Sequence, residues 1–269
     1  MSLFNFNYNK PGPGVNKNEP KKKPFFLFWT LFSRKFFNLI KLNLLFCIPV
    51  AIAIFLIYSL SGILPSLLIF SPLILISPFV AGLTIVTRNY VREEHAFILS
   101  DFVDALKHNW AAFLINGIVC YAAYIILSIS ISYYWAKISV NSLFFIPLSI
   151  CIGITILFVF AQYYIPVMIV TFDLNLIQIY KNAFIFSILG LWKNLLLTVI
   201  LAAVSFALWV LVLLMPLTLL ISILFGILLL FSFYMFLINF TVYPLIDKMM
   251  IQPYQEMKSK SESSEETND

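Results

Sequence analysis

The chain has 269 residues, 62% hydrophobic and 11% charged, a formal net charge of +5 and a mean hydropathy of +0.98. That is far more apolar surface than one soluble domain of this size can bury, so an ordinary globular protein is excluded and the surplus must face lipid. The positive balance is what the positive-inside rule asks of a polytopic membrane protein, and no nucleic-acid partner is expected from it.

Residues 1–24 are polar and carry Pro11, Pro13, Pro20 and Pro24, which predicts an extended N-terminal arm on the membrane surface. No short apolar core followed by a small-residue cleavage site is present, so no signal peptide is expected. From Phe25 to Lys41 seven aromatic residues alternate with Arg34, Lys35 and Lys41, the pattern of an interfacial amphipathic helix.

Leu42 to Thr87 is uncharged and about twice as long as the ~20 residues that cross a bilayer core, so it must fold back on itself. Ser61-Gly62 marks the turn, with spans predicted over 42–60 and 63–87. Pro65, Pro72 and Pro78 predict a kinked or partly broken second span, tolerable in lipid only where other helices cover the freed carbonyls. Arg88 to Asn109 reads as a charged connector folded into one interfacial helix, closed by the interface anchor Trp110.

The third span is expected over 111–133 and the fourth over 142–165, joined by the only sizeable loop on the far side, which contains Lys137 and Asn141. Leu174 to Lys193 repeats the interfacial design with Trp192 as its anchor. The last long apolar run divides at Pro216 into spans over 195–215 and 218–246. Residues 25–250 thus form a single all-α transmembrane domain of about six helices, and 251–269 a disordered tail. All 12 acidic residues, and every Lys and Arg except Lys137 among the 17, fall on the same side of this arrangement, which places both termini in the cytoplasm.

Superposing Phe37, Trp110 and Trp192 puts Asn43, Asn116 and Thr198 at the sixth position beyond each, a pattern that fits a threefold internal repeat or a shared taste for aromatics at membrane junctions. The intramembrane polar residues Asn43, Asn116, Gln162 and Asn239 have two readings: interhelical hydrogen bonds, or the lining of a path for an uncharged solute. No acid, His or Arg falls inside a span, which disfavours ion-coupled transport.

The charged connector holds Arg92, Glu93, Glu94 and His95, followed by Asp101, Asp104 and His108. The last three recur at helical spacing and share one face. They are candidates for docking a cytoplasmic partner, against metal or acid-base use and plain solvation. Cys47, Cys120 and Cys151 have no metal or redox spacing and read as small buried apolar residues. No nucleophile elbow, phosphate loop or dinucleotide fingerprint is present, so no enzyme activity and no cofactor is expected.

Three stretches carry a resemblance: Phe37-Asn38-Leu39-Ile40-Lys41-Leu42-Asn43-Leu44-Leu45, Arg88-Asn89-Tyr90-Val91-Arg92-Glu93-Glu94-His95-Ala96-Phe97, and Ser100-Asp101-Phe102 leading to Lys107-His108-Asn109-Trp110. With Gly12-Pro13-Gly14-Val15 in the arm, the chain resembles the YesL-like family of bacterial integral membrane proteins, a family of unknown function. The likeness covers roughly residues 10–130 and continues beyond only as hydropathy. It implies a bacterial plasma-membrane location and a context beside sugar-uptake transporters and polysaccharide-degrading enzymes, hence an accessory role with a transporter subunit as partner. A permease or facilitator for a neutral solute such as a sugar is the alternative expectation.

Overall fold

The computed structural model describes residues 23–214 and 216–257. Most of the N-terminal arm and the tail from residue 258 onward lie outside the described residues. Among those described there is no strand, and eight α-helices follow one another: α1 Pro24–Leu60, α2 Val80–Val91, α3 Ile98–Lys137, α4 Phe145–Ile169, α5 Leu176–Leu189, α6 Leu191–Leu214, α7 Pro216–Phe225 and α8 Phe231–Ile246. They build six stretches long and apolar enough to cross a membrane. The molecule is an all-α membrane bundle.

Pro24, expected at the end of the arm, is instead the first residue of α1, where its missing N–H costs nothing and its fixed φ suits the helix. The interfacial segment and the first span are one uninterrupted helix rather than two elements. Phe28, Leu31 and Phe32 are buried, with the Phe28 ring 5.3 Å from Phe240 and Phe32 5.6 Å from Phe233 of α8. Packing against the last span replaces the headgroup region as the support for this face, and only Phe25, Phe26, Trp29 and Phe37 stay open.

The second span is broken in its first half. Turns at 65–70 lead into a nine-residue 3₁₀ helix, Ser71–Phe79, before regular α-helix begins at Val80. Pro72 and Pro78 lie inside the tighter coil. The neighbouring α3 supplies one compensating bond: the Tyr121 hydroxyl donates to the Leu67 carbonyl at 2.5 Å, a protein partner of the kind a freed carbonyl needs in a bilayer.

The connector departs most from expectation. In place of one interfacial helix over 88–109, α2 continues to Val91, the chain turns at Arg92–Phe97, and α3 then runs 40 residues without a break. At ~1.5 Å per residue this helix is about 60 Å long, so its charged first turns and Lys137 lie at opposite ends of the bundle. Apolar packing explains the continuity: Phe102 and Ala105 are buried like Phe113, and Phe102 fills the notch left by Gly82 on α2.

The third unit is divided. α5 ends at Gly190 and α6 starts at Leu191. A capping box at Asn175 and Gln178 opens α5, satisfying two backbone donors reciprocally. The last span is interrupted by a π-turn at Gly226–Leu230 between α7 and α8, and a second π-turn at Asp247–Ile251 carries the helix on to Met257. The tail expected to be disordered from 251 is therefore helical for its first residues, held in part by Gln252 donating to Asp247 at 2.7 Å. The three cysteines are half-buried rather than enclosed.

A Cβ on Gly82 would sit 2.4 Å from the Phe102 ring and 2.8 Å from its backbone oxygen. Because a backbone atom cannot step aside cheaply, Gly82→Ala should lower stability by about 1–3 kcal/mol, read as a lower thermal midpoint in detergent. Gly153 and Gly226, with nothing nearby, provide the controls.

Candidate functional site

Of the polar residues singled out inside the membrane, only Asn116 and Gln162 meet each other. Asn43, fully buried, donates to the carbonyls of Gly226 and Ile227 at 3.0 and 2.7 Å and accepts from the Ser232 N–H at 2.9 Å. It therefore closes the π-turn of the last span. Asn116 donates to Gln162 of α4 at 3.2 Å and accepts a short bond from the Tyr180 hydroxyl of α5. Burial raises the Tyr180 phenol above its ordinary range, and Cys120 adds to the effect, so the group stays protonated and donates. Asn239 donates to Thr87 of α2 at 2.9 Å. Each joins one helix to its neighbours.

Thr198, the third member of the suspected repeat, shares a 2.9 Å hydrogen bond with Tyr163 of α4, so all three superposed positions link helices. Asn194 was overlooked: fully buried, it accepts from Tyr164 at 2.8 Å and donates to the Ser187 carbonyl at 3.1 Å across the Gly190 break. The signal was present in Gly190-Leu191-Trp192-Lys193-Asn194. A glycine there allows the Tyr164 hydroxyl to approach, since a Cβ would lie 2.4 Å from it.

Chemistry-bearing side chains collect instead at the connector end, in two sets with different neighbours. The first is the turn after α2. Glu93 adopts φ of 60°, a left-handed conformation that costs a non-glycine residue roughly 1–2 kcal/mol. From there its carboxylate meets Arg34 of α1 at 2.6 Å, with both side chains about half exposed. Arg92 pairs with Glu94 at 2.7 Å and lies 5.5 Å from the centre of the Tyr243 ring on the last span. His95 packs 4.6 Å from the Phe97 ring. Exposed pairs of this sort contribute little to stability, about 0–1 kcal/mol, so the turn remains a polar surface.

Asp101, Asp104 and His108 form the second set. They line a recess of about 420 Å³ together with Asn89 of α2, Asn109 of α3 and Asp173 after α4. Asp101 accepts from the Phe97 N–H at 3.0 Å and Asp104 from the Ser100 hydroxyl at 3.2 Å. Both carboxylates thus sit in the first turns of α3, where the helix dipole favours them. Among the described residues no group of three His, Cys, Asp or Glu could hold a metal ion.

Arg88 braces this recess. Its Nη1 donates to the Val170 carbonyl at 2.7 Å and to Thr171 at 3.0 Å, while Nε and Nη2 reach Asn89 Oδ1 at 3.3 and 3.1 Å. The guanidinium ties the end of α2 to the loop between α4 and α5. The sequence marked Arg88 only as the first charge after a long apolar run, because nothing local points to the partner 82 residues away.

Residues 39–131 match the model of a family described as a protein of unknown function, DUF624. The match takes in α1 from Leu39, the second span, the turn that carries Glu93 and most of α3. No curated protein and no solved structure matches the chain. What the chain is similar to is therefore a family whose own activity is undescribed, and the resemblance lies in the half that holds the connector-end site.

Proposed function

We propose that this is a multi-pass bacterial plasma-membrane protein with both termini cytoplasmic, acting without catalysis as an accessory or regulatory partner of a carbohydrate-uptake system. The observation that carries the reading is where charge is exposed. Arg92, Glu93, Glu94 and His95 are exposed beside the recess of Asp101, Asp104 and His108, whereas Asn43, Asn116, Gln162 and Asn239 each make an interhelical bond, with Gln162 Nε2 and Asn239 Oδ1 left without a partner among the described residues. A surface of exposed fixed charges suits docking. The carbohydrate context rests on the YesL-like resemblance alone.

Glu93 offers a clean test. Glu93→Gly removes the carboxylate and relieves the left-handed backbone together, so its thermal midpoint should equal or exceed that of the parent. If the turn docks a transport subunit, recovery of that subunit by affinity purification from native membranes should fall at least tenfold in Glu93→Gly with Glu94→Lys and Asp101→Lys. Purification of the parent without any transport subunit, together with unchanged sugar uptake in the charge-reversed strain, would sink the proposal.

Topology has its own measurement. With Cys47, Cys120 and Cys151 replaced by Ser, a cysteine at Lys137 should react with a membrane-impermeant maleimide on intact cells, and one at Lys23 only after the membrane is opened. The opposite pattern reverses the orientation and removes the docking surface from the cytoplasm.

A facilitator for a neutral solute is the second reading, favoured by the interruptions in the second and last spans, since broken helices recur at transporter sites. Flux of a sugar panel into reconstituted vesicles decides it. An absence of flux with correctly oriented protein removes this reading and leaves the first untouched.

A further inference from the structure

The two halves of the last span have different surroundings. α8 belongs to the core: Phe236 and Ile246 are fully buried, and Asn239 is tied to Thr87 of α2 at 2.9 Å. α7, on the other side of the π-turn, packs against α6, and its Leu219, Leu220, Ile221, Ile223 and Leu224 are exposed. The turn that joins them, Gly226–Leu230, closes its hydrogen bonds on the fifth residue instead of the fourth and so holds more chain than a regular turn. In an unbroken helix the Gly226 and Ile227 carbonyls would accept from the N–H groups of Leu230 and Phe231, and the Ser232 N–H would donate to Leu228. Here the Asn43 amide of α1 serves all three groups, donating to the two carbonyls at 3.0 and 2.7 Å and accepting from Ser232 at 2.9 Å.

The same backbone groups thus have two ways to be satisfied, by α1 or by their own helix. Taking the extra residue up into a regular helix turns α7 by about 100° about its axis relative to α8 and moves it about 1.5 Å along that axis. Little stands in the way. A Cβ on Gly226 would meet nothing within 4 Å, so the turn has room around it. Ser222 links α7 to the Leu208 carbonyl of α6 at 3.3 Å but also donates to the Thr218 carbonyl of its own helix at 3.1 Å, a partner it keeps in either position. The Asn43 amide likewise lies 3.5 Å from the Cys47 sulfur on its own helix.

From this arrangement we infer that the π-turn is a two-position joint and Asn43 its latch. With the amide engaged, α7 is held as observed. With it released, the last span straightens, and α7 presents a different face to α6 and to lipid while α8 stays fixed in the core. Discrete changes of this size, in which one helix turns against its neighbours, are how packed helices switch between states. The joint lies within the last span, away from the connector, and does not rest on the docking reading.

The test uses the full chain in lipid nanodiscs, with Cys47, Cys120 and Cys151 replaced by Ser and nitroxide labels placed at Leu220 of α7 and Ile54 of α1. The parent should give one label-to-label distance, and Asn43→Leu should move the population to a second one. Deleting Gly226 removes the extra residue, so a regular helix then holds α7 in its parental orientation without the latch. In that shortened chain Asn43→Leu should leave both the distance and the thermal midpoint where they are, although it lowers the midpoint of the parent. Asn43→Ser, which lacks the reach to serve all three groups, repeats the measurement if Asn43→Leu does not fold by itself. A folded Asn43→Leu or Asn43→Ser chain that keeps the parental distance alone overturns the joint. An equal loss of midpoint with and without Gly226 overturns the latch.

Discussion

In hydrocarbon a backbone carbonyl that loses its helical partner has no water to turn to, and the cost of leaving it bare is several kcal/mol. This protein breaks two of its six spans, so its architecture depends on side chains that reach across to the broken places. The Asn43 amide is the clearest. With two donated bonds and one accepted, it uses nearly its whole hydrogen-bonding capacity on the π-turn of the last span. α1 and the last span are thereby held in one register, in which Phe28 and Phe32 pack edge-on or tilted against Phe233, Phe236 and Phe240. Tyr121 serves the second span in the same way.

The same economy of polar groups runs through the rest of the bundle. Asn116, Thr198, Asn194 and Asn239 each end on a neighbouring helix. Interhelical bonds in membranes average only ~0.6 kcal/mol, so their value lies less in stability than in choosing which of many similar apolar faces meet. Exposed charge collects instead at the connector end, where Arg88 braces two elements and the acidic side chains of α3 border a recess.

Likeness among the three units persists where the membrane imposes it and fails where packing differs. Phe37, Trp110 and Trp192 are all exposed, and the residue six positions on from each bonds across helices. Yet α1 and α3 continue through their junctions, whereas the third unit stops at Gly190. The cause is specific: the Tyr164 hydroxyl occupies the space a side chain would need, and Asn194 ties across the break to the Ser187 carbonyl.

Hydropathy in the sequence was enough to determine the class of protein and six helices long and apolar enough to cross a membrane, because the cost of burying charge or baring backbone in lipid acts on each segment separately. Three prolines likewise announced a broken second span, since a missing N–H is a local fact. Tertiary structure alone decided that the supposed interfacial helices of the first two units are continuous with their spans. It decided too that the connector splits at a left-handed Glu93, and that Asn43 serves the last span across 183 positions to Gly226. Helical period says which side chains share a face, but not which distant face they meet. That choice belongs to the fit of apolar surfaces and to the few polar groups that must find a partner among them.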